Sequence, residues 1–96
     1  MPRRQFLICY DIADDKRRNR VFETLLGNGD HAQYSVFFCE LNPQELAQLR
    51  ARLTQLINPR EDQILILDLG DTQSPLENIL DCLGKRYNPQ TRVQIV

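Results

Sequence analysis

Two short runs constrain this chain more than anything else in it. Phe6-Leu7-Ile8-Cys9-Tyr10 and Ile64-Leu65-Ile66-Leu67 are apolar at every position, not at alternate ones. A strand with one wet face alternates apolar and polar residues, whereas an unbroken apolar run reads as a strand covered on both faces. A chain of 96 residues makes one domain, and this one has two clear helical patterns. Two helices cover one face of a small sheet. The other face needs a cover from outside the fold, and a second copy of the chain is the natural candidate. The expectation is a symmetric homodimer packed sheet face to sheet face.

The elements between those runs follow from local signals. Residues 5–12 read as a strand ended by Asp11. Residues 15–27 read as a helix, with Asp14 as its N-cap and Gly27-Asn28-Gly29 as its stop. Val21 with Leu25, and Phe22 with Leu26, give it an apolar stripe. Residues 31–41 read as extended: one long bent strand, or two short pieces broken by a bulge. Residues 43–57 form the clearest helix, with Asn42 as cap, Pro43 at its first position and Glu45 placed to close a capping box. Asp62 to Leu69 is a strand, residues 75–84 a weak helix, and Arg92 to Val96 a short terminal strand. The order predicts an α+β domain, a ferredoxin-like βαββαβ sandwich with an extra C-terminal strand. The single domain spans residues 1–96, with a core over 5–70 and a dimer- or partner-binding tail over 71–96.

Composition narrows the function classes. No apolar run reaches the ~20 residues a membrane helix needs, and no charged-then-apolar leader opens the chain. Cys9, Cys39 and Cys82 are odd in number and widely spaced, which points to reduced, inert thiols and a cytoplasmic setting. The net charge of −1 hides an asymmetry: residues 1–20 carry six Lys/Arg against three acids, the rest six against ten. Overall charge argues against non-specific coating of nucleic acid. A local basic patch remains, and a symmetric dimer doubles it.

The chemistry lies where the first strand meets the first helix. Asp11 ends an apolar strand, and Lys16, Arg17, Arg18 and Arg20 follow within two helical turns. An acid there either hydrogen-bonds local backbone or holds a divalent metal, and the cations either face solvent or take phosphate. On the helix, Arg17 and Arg20 lie near one another and are freer for phosphate. Arg18 leans toward the apolar stripe, placed to pair with Asp11 or Asp14. Asp14 and Asp15 can complete a metal shell, although Asp14 suits a cap better. Tyr10 reads as a core aromatic. Phe37 shares a strand side with Gln33 and Ser35, which suits a dimer interface or base stacking. His31 is the sole histidine, so a two-histidine, metal-free ribonuclease mechanism is excluded within one chain. No glycine-rich loop supports a small-molecule-binding module.

Tyr10-Asp11-Ile12, Lys16-Arg17-Arg18, Gln33-Tyr34-Ser35-Val36-Phe37, and Pro59 with Glu61-Asp62 stand at a characteristic spacing. On these residues the chain resembles the CRISPR-associated endoribonuclease family Cas2, the small partner of the spacer integrase, over roughly residues 5–70. The resemblance implies a ferredoxin-like protomer that dimerises through its sheets, a metal-dependent nuclease on RNA or DNA, and a bridge between integrase dimers. It implies Asp11 as the catalytic, metal-linked residue, with Mg²⁺ or another divalent ion. Tyr10, Arg18, Arg20, Ser35 and Phe37 match positions tied to nucleic-acid handling or dimer geometry. His31 stands where relatives often carry a basic residue. Two readings follow: a metal-dependent endonuclease on single-stranded RNA or double-stranded DNA, and a non-catalytic dimeric adaptor joining integrase and DNA.

Overall fold

The computed structural model describes residues 2–87. In chain order it contains β1 (Arg4–Asp11), α1 (Asp15–Leu26), β2 (Asp30–Gln33), β3 (Val36–Leu41), α2 (Pro43–Leu56), β4 (Gln63–Asp71) and a single turn, α3 (Leu76–Ile79). The terminal strand expected at Arg92–Val96 lies outside the described residues.

Helix starts follow their local chemistry. Asp14 caps α1 by accepting from the Arg17 backbone N–H at 3.0 Å. Asn42 and Glu45 close a reciprocal capping box at the start of α2, with bonds of 2.8 and 2.9 Å. The strands form one antiparallel sheet in the order β2-β3-β1-β4. β1 is therefore central, paired on both edges, and its end is held from both sides.

The sheet has two unlike faces. Phe6, Ile8 and Tyr10 of β1 join Phe37, Cys39 and Leu41 of β3 on one side, and Ile64 and Ile66 of β4 pack against them. Val21 and Leu25 of α1 and Leu49 and Leu53 of α2 close over this side, so both helices share one face. The opposite face carries Leu7 and Cys9, registered against Phe38 and Val36 on one edge and Leu67 and Leu65 on the other. Leu65 and Leu67 are 53% and 56% exposed. Beyond α3 the chain returns to this open face, where the Tyr87 ring meets Phe38 edge-on at 5.7 Å.

One expectation is corrected here. Of the two readings of residues 31–41, the single long strand is overturned and the two short pieces stand. A chain reversal separates them, however, and the register irregularity falls within β2, between His31 and Gln33. They form a hairpin, β2 and β3, turning at Tyr34-Ser35. The turn places Gln33 opposite Val36, so Gln33 is registered with the open face while Phe37, opposite His31, lies in the core. Gly29 permits the tight entry into this hairpin: a Cβ there would lie 2.5 Å from both Cys39 Sγ and Phe38 O.

Candidate functional site

The end of β1 opens into a cleft of about 240 Å³ lined by Tyr10, Asp11, Ile12, Arg18, Tyr34 and Ser35. Four residues singled out from the sequence, Tyr10, Asp11, Arg18 and Ser35, meet there. Strand alternation places Tyr10 toward the core, and Asp11 falls on the open face after Leu7 and Cys9. Asp11 is exposed, and its carboxylate takes no hydrogen bond or ion pair among the described residues.

Arg18 reaches across the start of α1. It pairs with Asp15 at 2.7 Å and donates to the Ile12 carbonyl at 3.1 Å. Its expected partners were Asp11 or Asp14. Asp14 is engaged in capping, and Asp15 stands one helical turn before Arg18. The guanidinium thereby props the loop that follows Asp11 and keeps donors toward the cleft.

The cleft's far wall is the β2–β3 turn, and it is held from three directions. The Tyr10 backbone N–H donates to Ser35 O at 3.1 Å. The Tyr10 hydroxyl donates to Tyr34 O at 3.3 Å, and His31 Nε2 lies 3.2 Å from the same oxygen. A carbonyl only accepts, so Nε2 carries the hydrogen. Burial pushes the Tyr10 hydroxyl above its ordinary value of 10.0, with the Arg18 charge acting the other way, so it stays a donor at neutral pH.

Other sequence candidates stand elsewhere. Phe37, expected at an interface or stacked on a base, is 0% exposed. It is packed among Tyr10, Phe22 and His31, because the hairpin turn resets the side it faces. Arg17, expected to be free for phosphate, is tied to Asp62 at 2.7 Å and Glu61 at 3.1 Å. Arg20 lies in a separate groove between the helices with Glu23, Thr24, Arg52 and Leu56. His31 packs edge-on to Phe22 at 5.0 Å and over Phe37 at 4.9 Å, so its ring faces inward.

The N-terminal basic patch is thus mostly neutralised within the fold. Arg3 pairs with Glu40 and Glu45, Arg4 with Asp68, Arg17 with Glu61 and Asp62, and Arg18 with Asp15. Asp62 received no role from sequence reasoning beyond its place in the quoted motif. Its side chain is wholly buried, and it accepts from Arg17, Ala13 N at 3.0 Å and Asn58 N at 2.8 Å. Those contacts, the Arg17 hydrogen bond foremost, hold its carboxyl well below the usual range. Through Ala13, Asp62 fixes the loop just beyond Asp11.

No group of three or more His, Cys, Asp or Glu suited to a metal occurs among the described residues. Among the described residues the cleft itself offers one carboxylate, Asp11. That fits Mg²⁺ in its usual water-rich form, held by one or two carboxylates together with substrate phosphate, and does not fit a closed protein cage.

The family model for CRISPR associated protein Cas2 matches residues 4–75, from β1 to the approach to α3. The chain belongs to the Cas2 family. It is 45% identical over 64 residues to CRISPR-associated endoribonuclease Cas2 2 of Thermodesulfovibrio yellowstonii, covering 67% of this chain and 70% of the relative. It is 34% identical to CRISPR-associated endoribonuclease Cas2 of Geobacter sulfurreducens, covering 95% of each, so that likeness continues past the core. Among solved structures it is similar to a hypothetical protein of Thermus thermophilus, with TM-score 0.77, 30% identity, and 92% and 99% of the two chains covered. It is also similar to Streptococcus pyogenes Cas2, with TM-score 0.73, 29% identity, and coverage of 83% and 99%. In Cas2 terms the cleft is built from the most recognisable segments of the chain: the Tyr10-Asp11-Ile12 strand end, the basic helix start and the Gln33-to-Phe37 hairpin.

Proposed function

We propose that this Cas2 protein is a metal-dependent endonuclease that hydrolyses phosphodiester bonds, working as a homodimer of ferredoxin-like protomers. The observation that carries the reading is Asp11: an exposed carboxylate without a partner among the described residues, in a cleft beside Arg18. The names of its relatives, CRISPR-associated endoribonucleases, support the same chemistry.

Asp11 lies on the sheet face that also carries Leu7, Cys9, Leu65 and Leu67. An apolar face of this kind is costly in water and is covered by a second sheet of the same kind. Face-to-face packing brings Asp11 of the two protomers to one rim. Two carboxylates and phosphate oxygens then make a Mg²⁺ site that neither protomer has alone. When bound, the ion supplies Lewis-acid stabilisation of the phosphate and an activated water. The protein's own residues position the reactants. Asp11 holds the ion or accepts a proton from water, Arg18 offers guanidinium N–H donors to phosphate oxygens, and Tyr10 fixes the wall opposite.

A second role is compatible with the same dimer: an adaptor joining an integrase and DNA during spacer acquisition. Cys9, Cys39 and Cys82 form no disulfide among the described residues, which fits a reducing cytoplasmic setting. The adaptor role does not need Asp11. Cleavage and spacer capture by Asp11→Asn separate the two. Loss of cleavage with retained capture assigns both roles; cleavage equal to wild type removes the catalytic one.

A further inference from the structure

The most exposed residue of the cleft takes no part in that chemistry. Tyr34, at the tip of the β2–β3 turn, is 95% exposed. A lone exposed aromatic is ordinary on a protein surface. This one differs in two respects. It lines the same cleft as Asp11 and Arg18. Its own carbonyl takes bonds from two side chains, Tyr10 and His31, and the next carbonyl takes one from the β1 backbone. Its backbone is therefore fixed and only the side-chain torsions remain, so little freedom is lost when the ring meets a ligand.

A planar ring on a held backbone, lining one cleft with a carboxylate and a guanidinium, suits one ligand class. Phosphate goes to the cation, and an adjoining base stacks on the ring. In a duplex the bases are already stacked on one another and shielded from such a ring; in a single strand they are free to turn onto it. We propose that Tyr34 is a stacking platform for an unpaired nucleobase of single-stranded RNA or DNA, next to the phosphate that faces Asp11 and Arg18. This rests on the nuclease reading and narrows it to single-stranded substrate.

The test uses the full-length Asp11→Asn protein, so that bound strands stay intact. Labelled twelve-nucleotide single strands of RNA and of DNA, and the matching DNA duplex, are titrated by fluorescence anisotropy. Tyr34→Ala should weaken single-strand binding roughly ten-fold and leave duplex binding unchanged, with the same salt slope, because stacking releases no counterions. Tyr34→Phe should stay within about two-fold of the parent, since the ring carries the contact. A greater loss on RNA than on DNA, or the reverse, identifies which strand is the ligand. Parental affinity in Tyr34→Ala overturns the proposal, as does equal weakening by Tyr34→Phe, or no single-strand binding by the parent. Sedimentation of Tyr34→Ala as a smaller species than the parent also overturns it, because the ring would then be an interface residue. The two readings fail separately. If wild type does not cleave but Tyr34→Ala loses single-strand affinity, only the nuclease reading falls. If Asp11-dependent cleavage of single strands is unchanged in Tyr34→Ala, only the stacking role falls.

Discussion

Arg17 Nε donates to Asp62 Oδ2 at 2.7 Å, and its NH2 reaches Oδ1 of the same carboxylate at 3.2 Å. This two-pronged pair joins the first turn of α1 to the loop before β4, across 45 positions of sequence. Asp62 also receives Ala13 N, so the loop that leaves Asp11 hangs on a carboxylate with no exposed surface. Asp62→Asn should lower the melting temperature by several degrees and reduce cleavage more than folding requires. Arg17→Lys, which cannot make the fork, should do the same more mildly. Thermal melts with cleavage assayed well below the transition check this. Cleavage at wild-type level in folded Asp62→Asn would show that the loop keeps its place without the carboxylate.

The same carboxylate makes stability fall in acid. Its folded-state value is held below the ordinary 3.8, chiefly by the Arg17 hydrogen bond. A depressed folded value adds stability that is fully present above the unfolded value and is lost as pH falls through the folded one. Asp14 and Asp68 are shifted in the same direction, each first through a hydrogen bond, from the Arg17 backbone and the Arg4 side chain respectively. Denaturant midpoints should be level from neutral pH to about 5 and fall below about 4. The gap between wild type and Asp62→Asn should narrow over that acid range. A constant gap would contradict the assignment.

The open sheet face predicts a second set of outcomes. Leu65→Glu with Leu67→Glu sets charge opposite Cys9 and Leu7 while leaving the helix-covered side untouched. The variant should fold, with a helical circular dichroism signal like that of wild type, and sediment as a monomer while wild type sediments at twice that mass. It should also lose cleavage, since the proposed site takes Asp11 from both copies. A dimeric double variant would place the interface elsewhere.

Local energetics give simpler checks. Ile8 is fully buried between β3 and β4 under both helices, so Ile8→Ala should cost about 2–5 kcal/mol in urea titrations. Asn42→Ala removes one half of the capping box and should cost about 1 kcal/mol. Gly29→Ala should be strongly destabilising, because the new methyl meets Cys39 Sγ and the rigid Phe38 carbonyl at 2.5 Å.

How much of this was legible in the sequence depends on the range of each signal. Both major helices were readable at their starts, because a cap is written within four residues: Asp14 with Arg17, Asn42 with Glu45. The unbroken apolar run of β1 marked a strand with one face under helices and the other awaiting a cover, and Leu7 and Cys9 lie on that open side. The two strands over 31–41 were counted in the βαββαβ order, but the reversal between them was read as a bulge because Tyr34-Ser35 lacks the Asn-Gly or Asp-Gly signature of two-residue turns, and that set Phe37 on the same side as Gln33. The role of Arg17 was missed for another reason. Helical spacing says which residues neighbour one another on α1, and nothing local announces that Asp62 arrives from another loop. Arg18, which spacing placed toward the apolar stripe, is the arginine that reaches the cleft.

Everything proposed for the cleft turns on Asp11 carrying metal-dependent phosphodiester cleavage in a dimer. The direct measurement is cleavage of labelled single-stranded RNA and duplex DNA by wild type and Asp11→Asn, each with Mg²⁺ and with EDTA, with dimer mass confirmed for both proteins. Wild type should cleave with Mg²⁺ alone, and neither the mutant nor the EDTA samples should cleave. Cleavage by dimeric Asp11→Asn at the wild-type rate, or no cleavage by wild type with Mg²⁺, would contradict that role for Asp11 and leave a dimeric adaptor whose strand-end acid has no catalytic part.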